Sequence, residues 1–314
     1  MDRKLQRILK NVSRSFYLSL LLLPEPLQKT LGLAFLFCKA ADTIADTDII
    51  PVEKRLSVLH TYRDVFLRGL PFHGEVNLFY RGGSVAEREL LHAIPDLFIT
   101  LDALPLEDQR HIRWLLPELT QGMILDLTFF TNQHQMRALP TAETLDRYTY
   151  AVAGCVGIFW TRILKAHYPF AATWTHEVEE IGEQFGKGLQ MVNVLRDLPH
   201  DLEQGRCYLP EDALTQNGIA PRDLIDVNLR PKMKSFLASY IAQTHDMLRA
   251  GVRYVAFLPS QERRLRAAVL LPMRLGHQTL DQLTASSNWP DTDHVMKVPR
   301  WKVYTTLFQT LLFS

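Results

Sequence analysis

The spacing of apolar residues constrains the fold of this chain more than any other feature. Apolar side chains recur every three or four residues over long stretches, which is the period of a helix with one buried face. These stretches are 27–44, 112–130, 145–164, 178–195, 236–257 and 265–283. Convincing runs of alternating apolar and polar residues are absent from the sequence. The pattern therefore predicts an all-α fold of roughly ten or more helices.

Short gaps rich in proline and glycine separate the predicted helices, and none of them reads as a flexible linker or a repeat boundary. A chain of 314 residues, of which 47% are hydrophobic, can bury one large core. We therefore expect residues 1–314 to form a single domain, with 72–84 as its most loop-like segment. Pro117 and Pro272 fall inside predicted helices, where a proline kinks or splits the helix.

Charge and cysteine content argue against two classes of protein. The sequence has 35 Lys and Arg residues against 34 Asp and Glu residues, whereas a nucleic-acid binder usually has a basic excess. Its three cysteines are far apart and match no zinc pattern, so we expect the reduced thiols of a cytoplasmic protein. The N-terminal residues do not resemble a signal peptide, and the apolar stretch 18–24 is far below the roughly 20 residues that span a bilayer.

The C-terminal segment 301–313 is preceded by Lys297 and Arg300, carries Lys302 at its start and is rich in Leu and Phe at its end. The simpler interpretation is a last helix that packs on the core. The same composition also suits peripheral contact with a membrane surface, and that alternative stays open.

Two aspartate pairs carry the strongest chemical signal in the sequence. Asp42 and Asp46 end the stretch FLFCKAADTIAD, and Asp197 and Asp201 end the stretch QMVNVLRDLPHD. Residues four apart lie on one helix face, so each pair brings two carboxylates together. One such pair is common on a solvated helix and means little by itself. Two pairs, each close to a cationic residue, predict a shared site for Mg²⁺, which prefers oxygen ligands and binds together with substrate phosphates.

Further polar residues accompany the second pair. Asn193 lies four residues before Asp197, and Gln190 lies a turn earlier on nearly the same side of the helix. Buried polar groups need partners, and metal ions between two acidic helices would relieve their repulsion. Pro199 lies within the second pair and predicts a loosened or kinked turn there.

Five short blocks occur along the chain in a fixed order. They are SRSF at 13–16, ADTIAD at 41–46, YTYAVAGCVG at 148–157, QMVNVLRD at 190–197 and GRCYLP at 205–210. Together they resemble the squalene/phytoene synthase family, the head-to-head prenyl synthases, and their joint presence is highly specific. The resemblance implies a single-domain, isoprenoid-synthase-type helical bundle with a central cavity. It also implies an enzyme that couples two isoprenyl diphosphates.

The resemblance implies roles for individual residues of this sequence. The expected metal ligands are Asp42, Asp46, Asn193, Asp197 and Asp201. The expected supports of the second metal site and of the phosphate oxygens are Gln190, Ser13, Arg14, Ser15 and Arg196. Tyr148 matches the family's catalytic tyrosine.

Other candidates follow from side-chain chemistry. The rings of Phe16, Phe35 and Tyr148 suit contact with an allylic carbocation, with plain core packing an equally good interpretation of the two phenylalanines. Arg206 follows a predicted turn and would bring a cation near the diphosphates, with a solvated surface position as the alternative.

Two positions depart from the family's pattern. Lys39 stands where the family usually has arginine, which keeps the charge but loses bidentate phosphate binding. Phe35 stands where the family usually has tyrosine, which loses a hydroxyl but keeps an aromatic face. Neither change removes the expected metal site.

These implications lead to a magnesium-dependent prenyltransferase. The leading interpretation is the conversion of two farnesyl diphosphates to squalene through presqualene diphosphate, with NADPH as reductant. The close alternative omits the reduction and makes phytoene or dehydrosqualene, and Gly32 favours a longer substrate because it leaves room. An alternative of another class is a non-catalytic helical homologue, although such proteins typically lose the aspartates. Another class I terpenoid enzyme would usually show an Asp-Asp-x-x-Asp run, which is absent here.

Overall fold

The computed structural model describes most of the chain. The described residues are 2–13, 17, 20–21, 23–47, 49–70, 72, 79, 83–131, 136–287 and 289–290. The predictions for Arg14, Ser15, Phe16 and the C-terminal segment lie outside them. The chain divides into two compact units, residues 1–128 with 159–174 and residues 129–158 with 175–314. The single domain expected for 1–314 stays a prediction.

In the first unit, the helices begin within residues 1–128. They are α1 (Arg3–Ser13), α2 (Glu25–Asp46), α3 (Val52–Arg68), α4 (Val85–His92), α5 (Ile94–Asp102) and α6 (Leu106–Phe129). A cluster of aromatic rings on α2, α3 and α5 forms part of this unit's core, where Phe37 contacts both Phe66 and Phe98. The Tyr62 hydroxyl donates to the Phe37 carbonyl at 2.9 Å, which ties α3 to α2.

The elements that begin in the second unit surround one long helix, α9. They are β1 (Arg137–Leu139), α7 (Ala142–Thr149), a π-helical turn (Tyr150–Gly154), α8 (Cys155–His167), α9 (His176–Glu203), β2 (Arg206–Pro210), α10 (Glu211–Gln216), two 3₁₀ turns (Pro221–Ile225 and Val227–Leu229), α11 (Arg230–Ala256) and α12 (Arg263–Ala285). α9 packs against α11, α12 and the π-helical turn. The prediction of an all-α fold is confirmed.

A small parallel sheet is the exception that the periodicity missed. β1 pairs with β2, with Arg137 opposite Arg206 and Ala138 opposite Cys207. Strands of three and five residues are too short to show a period of two. The sheet matters because β2 carries residues of the GRCYLP block.

The helix ends follow ordinary local chemistry. α3 ends at Arg68 and is capped by Gly69, whose φ of 65° is the left-handed conformation that glycine adopts without a Cβ penalty. α4 begins with a capping box, in which Ser84 and Glu87 each accept a hydrogen bond from the other's backbone N–H. At the end of α2, buried Arg55 donates to the Ala45 carbonyl at 2.6 Å, which satisfies a carbonyl of the last turn.

Three prolines lie inside helices without splitting them. Pro117 lies in α6, Pro199 in α9 and Pro272 in α12, and each helix continues past its proline. Of the two expectations for Pro117 and Pro272, a kink or a split, the split is wrong, because α6 and α12 each continue as one helix. The rings of Pro117 and Pro199 are buried, so packing offsets the lost backbone donor. Helix α9 consequently carries both Asp197 and Asp201.

Two glycine contacts set how closely the π-helical turn and α8 approach α9. A Cβ at Gly157 would lie 1.9 Å from the Gly182 carbonyl oxygen, and a Cβ at Gly186 would lie 2.3 Å from the Ala153 carbonyl oxygen. Only glycine fits at these distances. The close approach fixes the segment after Tyr148 against the helix that carries the second aspartate pair.

Candidate functional site

The first acidic pair lies at the end of α2. Asp42 is half-exposed, and Lys39 one turn earlier donates to its Oδ2 at 2.7 Å. Glu87 on α4 contacts the same ammonium, with 3.1 Å between Glu87 Oε1 and Lys39 Nζ. Burial acts to lower the pKa of Lys39, but Asp42 and Glu87 outweigh it and raise that pKa above its ordinary value. Lys39 therefore stays charged beside the first pair.

The other described residues predicted to act with the first pair lie on α2 and α1. Asp46 is the last residue of α2 and is exposed to solvent. Phe35 lies two turns before Asp42 and is half-buried. Ser13 ends α1, where its buried hydroxyl donates to the Leu9 carbonyl at 2.5 Å. A phosphate contact from Ser13 would need this bond to break, because a hydroxyl has one proton to donate.

The second acidic pair lies in the last turns of α9. Arg196 holds Asp197 with two hydrogen bonds, from Nε at 2.8 Å and from Nη2 at 2.5 Å. The hydrogen bonds to Asp197 raise the pKa of Arg196, and the charges of Asp197 and Asp201 add to the effect. A guanidinium bound to one carboxylate keeps further donors, so Arg196 can also bind a phosphate oxygen.

Gln190, Asn193 and Tyr148 form a hydrogen-bonded group beside the second pair. Asn193 donates through Nδ2 to Gln190 Oε1 at 3.1 Å, which leaves Asn193 Oδ1 as an acceptor. Gln190 Nε2 lies 3.5 Å from the Tyr148 hydroxyl oxygen, at the long limit of a hydrogen bond. The structure thus brings together three residues that sequence reasoning placed in the site.

Two side chains that the sequence did not single out position Tyr148. Tyr208 on β2 stacks on the Tyr148 ring, with 4.7 Å between ring centroids and 22° between ring planes. Lys187 on α9 binds Asp146 at 2.7 Å and Glu183 at 3.0 Å, which ties α7 to α9. Only Tyr208 had a sequence signal, because it belongs to the GRCYLP block. Arg206 of the same block is half-buried and opens β2.

Glu87 is a third residue that the sequence did not single out, and it lies beside the first pair. Its signal was the Ser84-x-x-Glu87 spacing of a capping box, which predicts a helix start but not a contact with Lys39. Burial acts to raise the pKa of the Glu87 carboxyl. The hydrogen bonds from Ser84 and Lys39 outweigh burial, so the pKa lies below its ordinary value. Glu87 therefore supplies a second negative charge to Lys39.

The donor chemistry around each acidic pair suits a hard divalent cation. Within the residues that the structure describes, no three His, Cys, Asp or Glu side chains form a ready-made metal site. Each pair instead offers half-exposed carboxylate oxygens, from Asp42 in the first pair and from Asp197 in the second, and Asn193 adds its amide oxygen beside the second pair. Mg²⁺ prefers such ligands and completes its shell with water and phosphate oxygens.

The fold and these contacts define a class of protein. It is a helical chain in which aspartates near the ends of helices pair with lysine or arginine side chains that suit diphosphate binding. Residues 9–302 match the family model described as squalene/phytoene synthase. The chain belongs to this family, whose members are prenyltransferases that condense isoprenyl diphosphates head to head.

Individual relatives of the chain carry different names. The bifunctional lycopene cyclase/phytoene synthase of Phaeosphaeria nodorum is 29% identical over 87% of this chain and 45% of that protein. The presqualene diphosphate synthase of Rhodopseudomonas palustris is 29% identical over 67% of this chain and 62% of that protein. The chain thus spans about half the length of the first of these relatives.

A solved structure shares the fold of the whole chain. The complex of TcSQS with the ligand BPH1237 superposes with a TM-score of 0.80, at 21% identity, over 99% of this chain and 87% of that one. At this identity the likeness supports the fold alone. Among the described helices, none is long and apolar enough to cross a membrane.

Proposed function

We propose that the chain joins two isoprenyl diphosphates head to head, with farnesyl diphosphate as substrate and presqualene diphosphate as the first product. The observation that carries the proposal is that each aspartate pair is joined to a cation, Asp42 to Lys39 and Asp197 to Arg196. Carboxylates and cations side by side suit a substrate that arrives as a metal diphosphate, because each charge then has a partner.

Mg²⁺ would be held by Asp42 and Asp46 at the first pair and by Asn193, Asp197 and Asp201 at the second pair. When bound, it supplies Lewis-acid stabilisation of the departing diphosphate. The side chains of Lys39, Arg196 and Arg206 bind phosphate oxygens, and so would Arg14 and Ser15. These contacts stabilise the charge that develops on the leaving group as its C–O bond breaks.

The allylic cation left behind needs a dry, electron-rich surrounding. The buried Tyr148 ring, stacked on Tyr208, offers π electrons without water. The double bond of the second substrate attacks the cation, and loss of a proton closes a cyclopropane that keeps one diphosphate. Gln190 holds the Tyr148 hydroxyl toward α9 during these steps.

The second stage of the proposed reaction is reductive. The cyclopropylcarbinyl diphosphate ionises, rearranges and accepts a hydride from NADPH, which gives squalene. The second candidate product is phytoene from geranylgeranyl diphosphate, or dehydrosqualene from farnesyl diphosphate, without the hydride. The phytoene synthases among the relatives favour this candidate, whereas the presqualene diphosphate synthase favours the first.

Product analysis tests the proposal. The chain is incubated with farnesyl or geranylgeranyl diphosphate, with and without Mg²⁺ and NADPH, and products are identified by mass. We expect presqualene diphosphate from farnesyl diphosphate with Mg²⁺ alone, and squalene when NADPH is added. D42N and D197N should each lower turnover at least about 100-fold, because each removes a carboxylate that would hold Mg²⁺ beside the leaving group. Absence of any head-to-head product under every condition would overturn the proposal and favour a non-catalytic homologue.

We further propose that the chain works in the cytoplasm, with peripheral membrane contact through its C-terminal segment as the route for its lipid-soluble product. The basic residues Lys297, Arg300 and Lys302 and the apolar end of 301–313 support this. Removal of residues 301–314 should weaken co-sedimentation with anionic liposomes, and unchanged co-sedimentation would contradict it.

A further inference from the structure

The Lys39 ammonium lies between two carboxylates that come from different helices. Asp42 Oδ2 on α2 is 2.7 Å from Nζ, and Glu87 Oε1 on α4 is 3.1 Å from it. The Lys39 side chain is 23% exposed and that of Glu87 is 25% exposed, so the contact is partly shielded from water. Among the described residues, these two carboxylates are the partners of the ammonium.

The carboxylate of Glu87 is itself held in place. Its Oε2 accepts a hydrogen bond from the Ser84 backbone N–H at 2.8 Å, and its own N–H donates to Ser84 Oγ at 3.3 Å. One oxygen therefore completes the cap of α4 while the other faces Lys39. Because the cap fixes the direction of the carboxylate, Glu87 offers Lys39 a fixed rather than a mobile partner.

This arrangement leaves one N–H donor of the Lys39 ammonium available for a ligand. A lysine ammonium has three N–H donors, and Asp42 and Glu87 use two of them. The third donor remains for a phosphate oxygen. A lysine is a point charge on a flexible stem, so it loses side-chain entropy when it is fixed on a ligand. A partner that already orders the stem removes part of that cost.

We propose that Glu87 is a positioning residue that orders Lys39 next to Asp42, so that the ammonium binds the diphosphate. The inference rests on the proposed function, because it takes the ligand at Asp42 to be a diphosphate. The family usually has arginine at the position of Lys39, and the forked guanidinium of arginine can make two contacts at once. Lysine has no such fork. Glu87, which the cap of α4 holds in place, provides the second fixed contact.

Simple electrostatics predicts the opposite result, which makes the proposal testable. Glu87 is negative, so removing its charge would strengthen the binding of an anion if charge alone mattered. A positioning role predicts weaker binding when the charge is removed. The variant E87Q separates the two, because glutamine still serves a capping box but has a single oxygen and cannot serve both Ser84 and Lys39.

The measurement is calorimetric binding of inorganic pyrophosphate in the presence of Mg²⁺. We expect E87Q to bind about fivefold more weakly than the unchanged chain, the size of a partly exposed ion pair. In a K39M background the same substitution should leave binding unchanged or strengthen it, since only the charge effect remains. E89Q is the matched control on the same helix, where Glu89 pairs with Arg7 at 3.7 Å, and it should not weaken binding.

Two results would overturn the proposal. One is unchanged or tighter pyrophosphate binding in E87Q, and the other is an equal loss with and without Lys39. Thermal unfolding of E87Q checks that α4 stays folded. Failure of the proposed function is seen separately, as absence of head-to-head products from the unchanged chain, whatever E87Q does to pyrophosphate binding.

Discussion

Tyr208 stacks on Tyr148, with the ring centroids 4.7 Å apart and both side chains buried. The stack joins β2 to α7 and fixes the ring that faces Gln190. Y208F keeps the ring and should retain turnover within about twofold. Y208A leaves a cavity beside Tyr148 and should lower stability by about 3 kcal/mol.

Steady-state kinetics and urea unfolding check this prediction. In Y208A we expect kcat to fall about tenfold, with a smaller change in KM. Without the stack the Tyr148 ring can move, and this weakens its stabilisation of the carbocation more than it weakens substrate binding. Y208L, which refills part of the cavity without a ring, separates packing from positioning. Full kcat in a folded Y208L variant would contradict a positioning role for Tyr208.

The sequence predicted the helices and the acidic pairs because their signals are local. The periodic stretches correspond to helices such as α2, α9, α11 and α12, and the aspartates lie at the helix ends where the blocks had placed them. The contacts that position the site are not local. Glu87 meets Lys39 from a separate helix, and Tyr208 meets Tyr148 from a strand, so no spacing along the chain could reveal either pair.

Proline inside a helix is the clearest case in which a local rule was overridden. Pro117 and Pro272 predicted a kink or a split, yet α6 and α12 each continue past the proline as one helix. A proline removes one backbone hydrogen bond, while the rest of a helix of more than twenty residues stays packed against its neighbours. The balance depends on tertiary burial, which the sequence alone does not show.

Asp108 should be a stability residue of the first unit. Its side chain is 2% exposed, accepts from Thr30 Oγ1 at 2.5 Å, and lies 2.9 Å from His167 Nε2. These bonds join α6 to α2 and α8. D108A leaves both partners without their acceptor and should lower the free energy of unfolding by about 3 kcal/mol in urea denaturation.

Asp102 provides the matched control for Asp108. Its side chain is 68% exposed and pairs with Arg113 at 3.3 Å, so D102A should change the free energy of unfolding by less than about 0.5 kcal/mol. Equal effects of D108A and D102A would show that the buried contacts do not stabilise the unit.

Gly157 and Gly154 provide a paired test of the close approach to α9. A Cβ at Gly157 would meet backbone, 1.9 Å from the Gly182 carbonyl oxygen, whereas a Cβ at Gly154 would meet the side chains of Glu183 and Lys187 at 3.1 and 3.2 Å. Side chains can shift but packed backbone cannot. G157A should therefore destabilise by about 3 kcal/mol and G154A by less than about 1 kcal/mol.

Thermal and urea unfolding measure both glycine variants. G157A should also lower turnover, because a displaced α8 moves the segment that leads from Tyr148. A G157A variant as stable as G154A would contradict the backbone contact.

His277 should make the second unit sensitive to acid. Its ring stacks on His245, with 2.6 Å between the two Nδ1 atoms. Burial, then the neighbouring His245, lowers the pKa of His277 below its ordinary 6.5, with Arg249 adding to the effect and Asp281 opposing it. Between the lowered pKa and 6.5 the unfolded chain binds more protons at this position than the folded chain does. The contribution of His277 to the free energy of unfolding is therefore constant above pH 6.5 and falls as the pH drops from 6.5 to the lowered pKa.

The test compares urea unfolding of the unchanged chain and of H277N at two pH values, one above and one well below 6.5. Carboxylates elsewhere also titrate in acid, so the difference between the two proteins is the informative quantity. We expect the unchanged chain to lose more stability than H277N on acidification, because asparagine has no proton to gain. An equal loss in both proteins would show that the paired imidazoles between α11 and α12 do not oppose protonation.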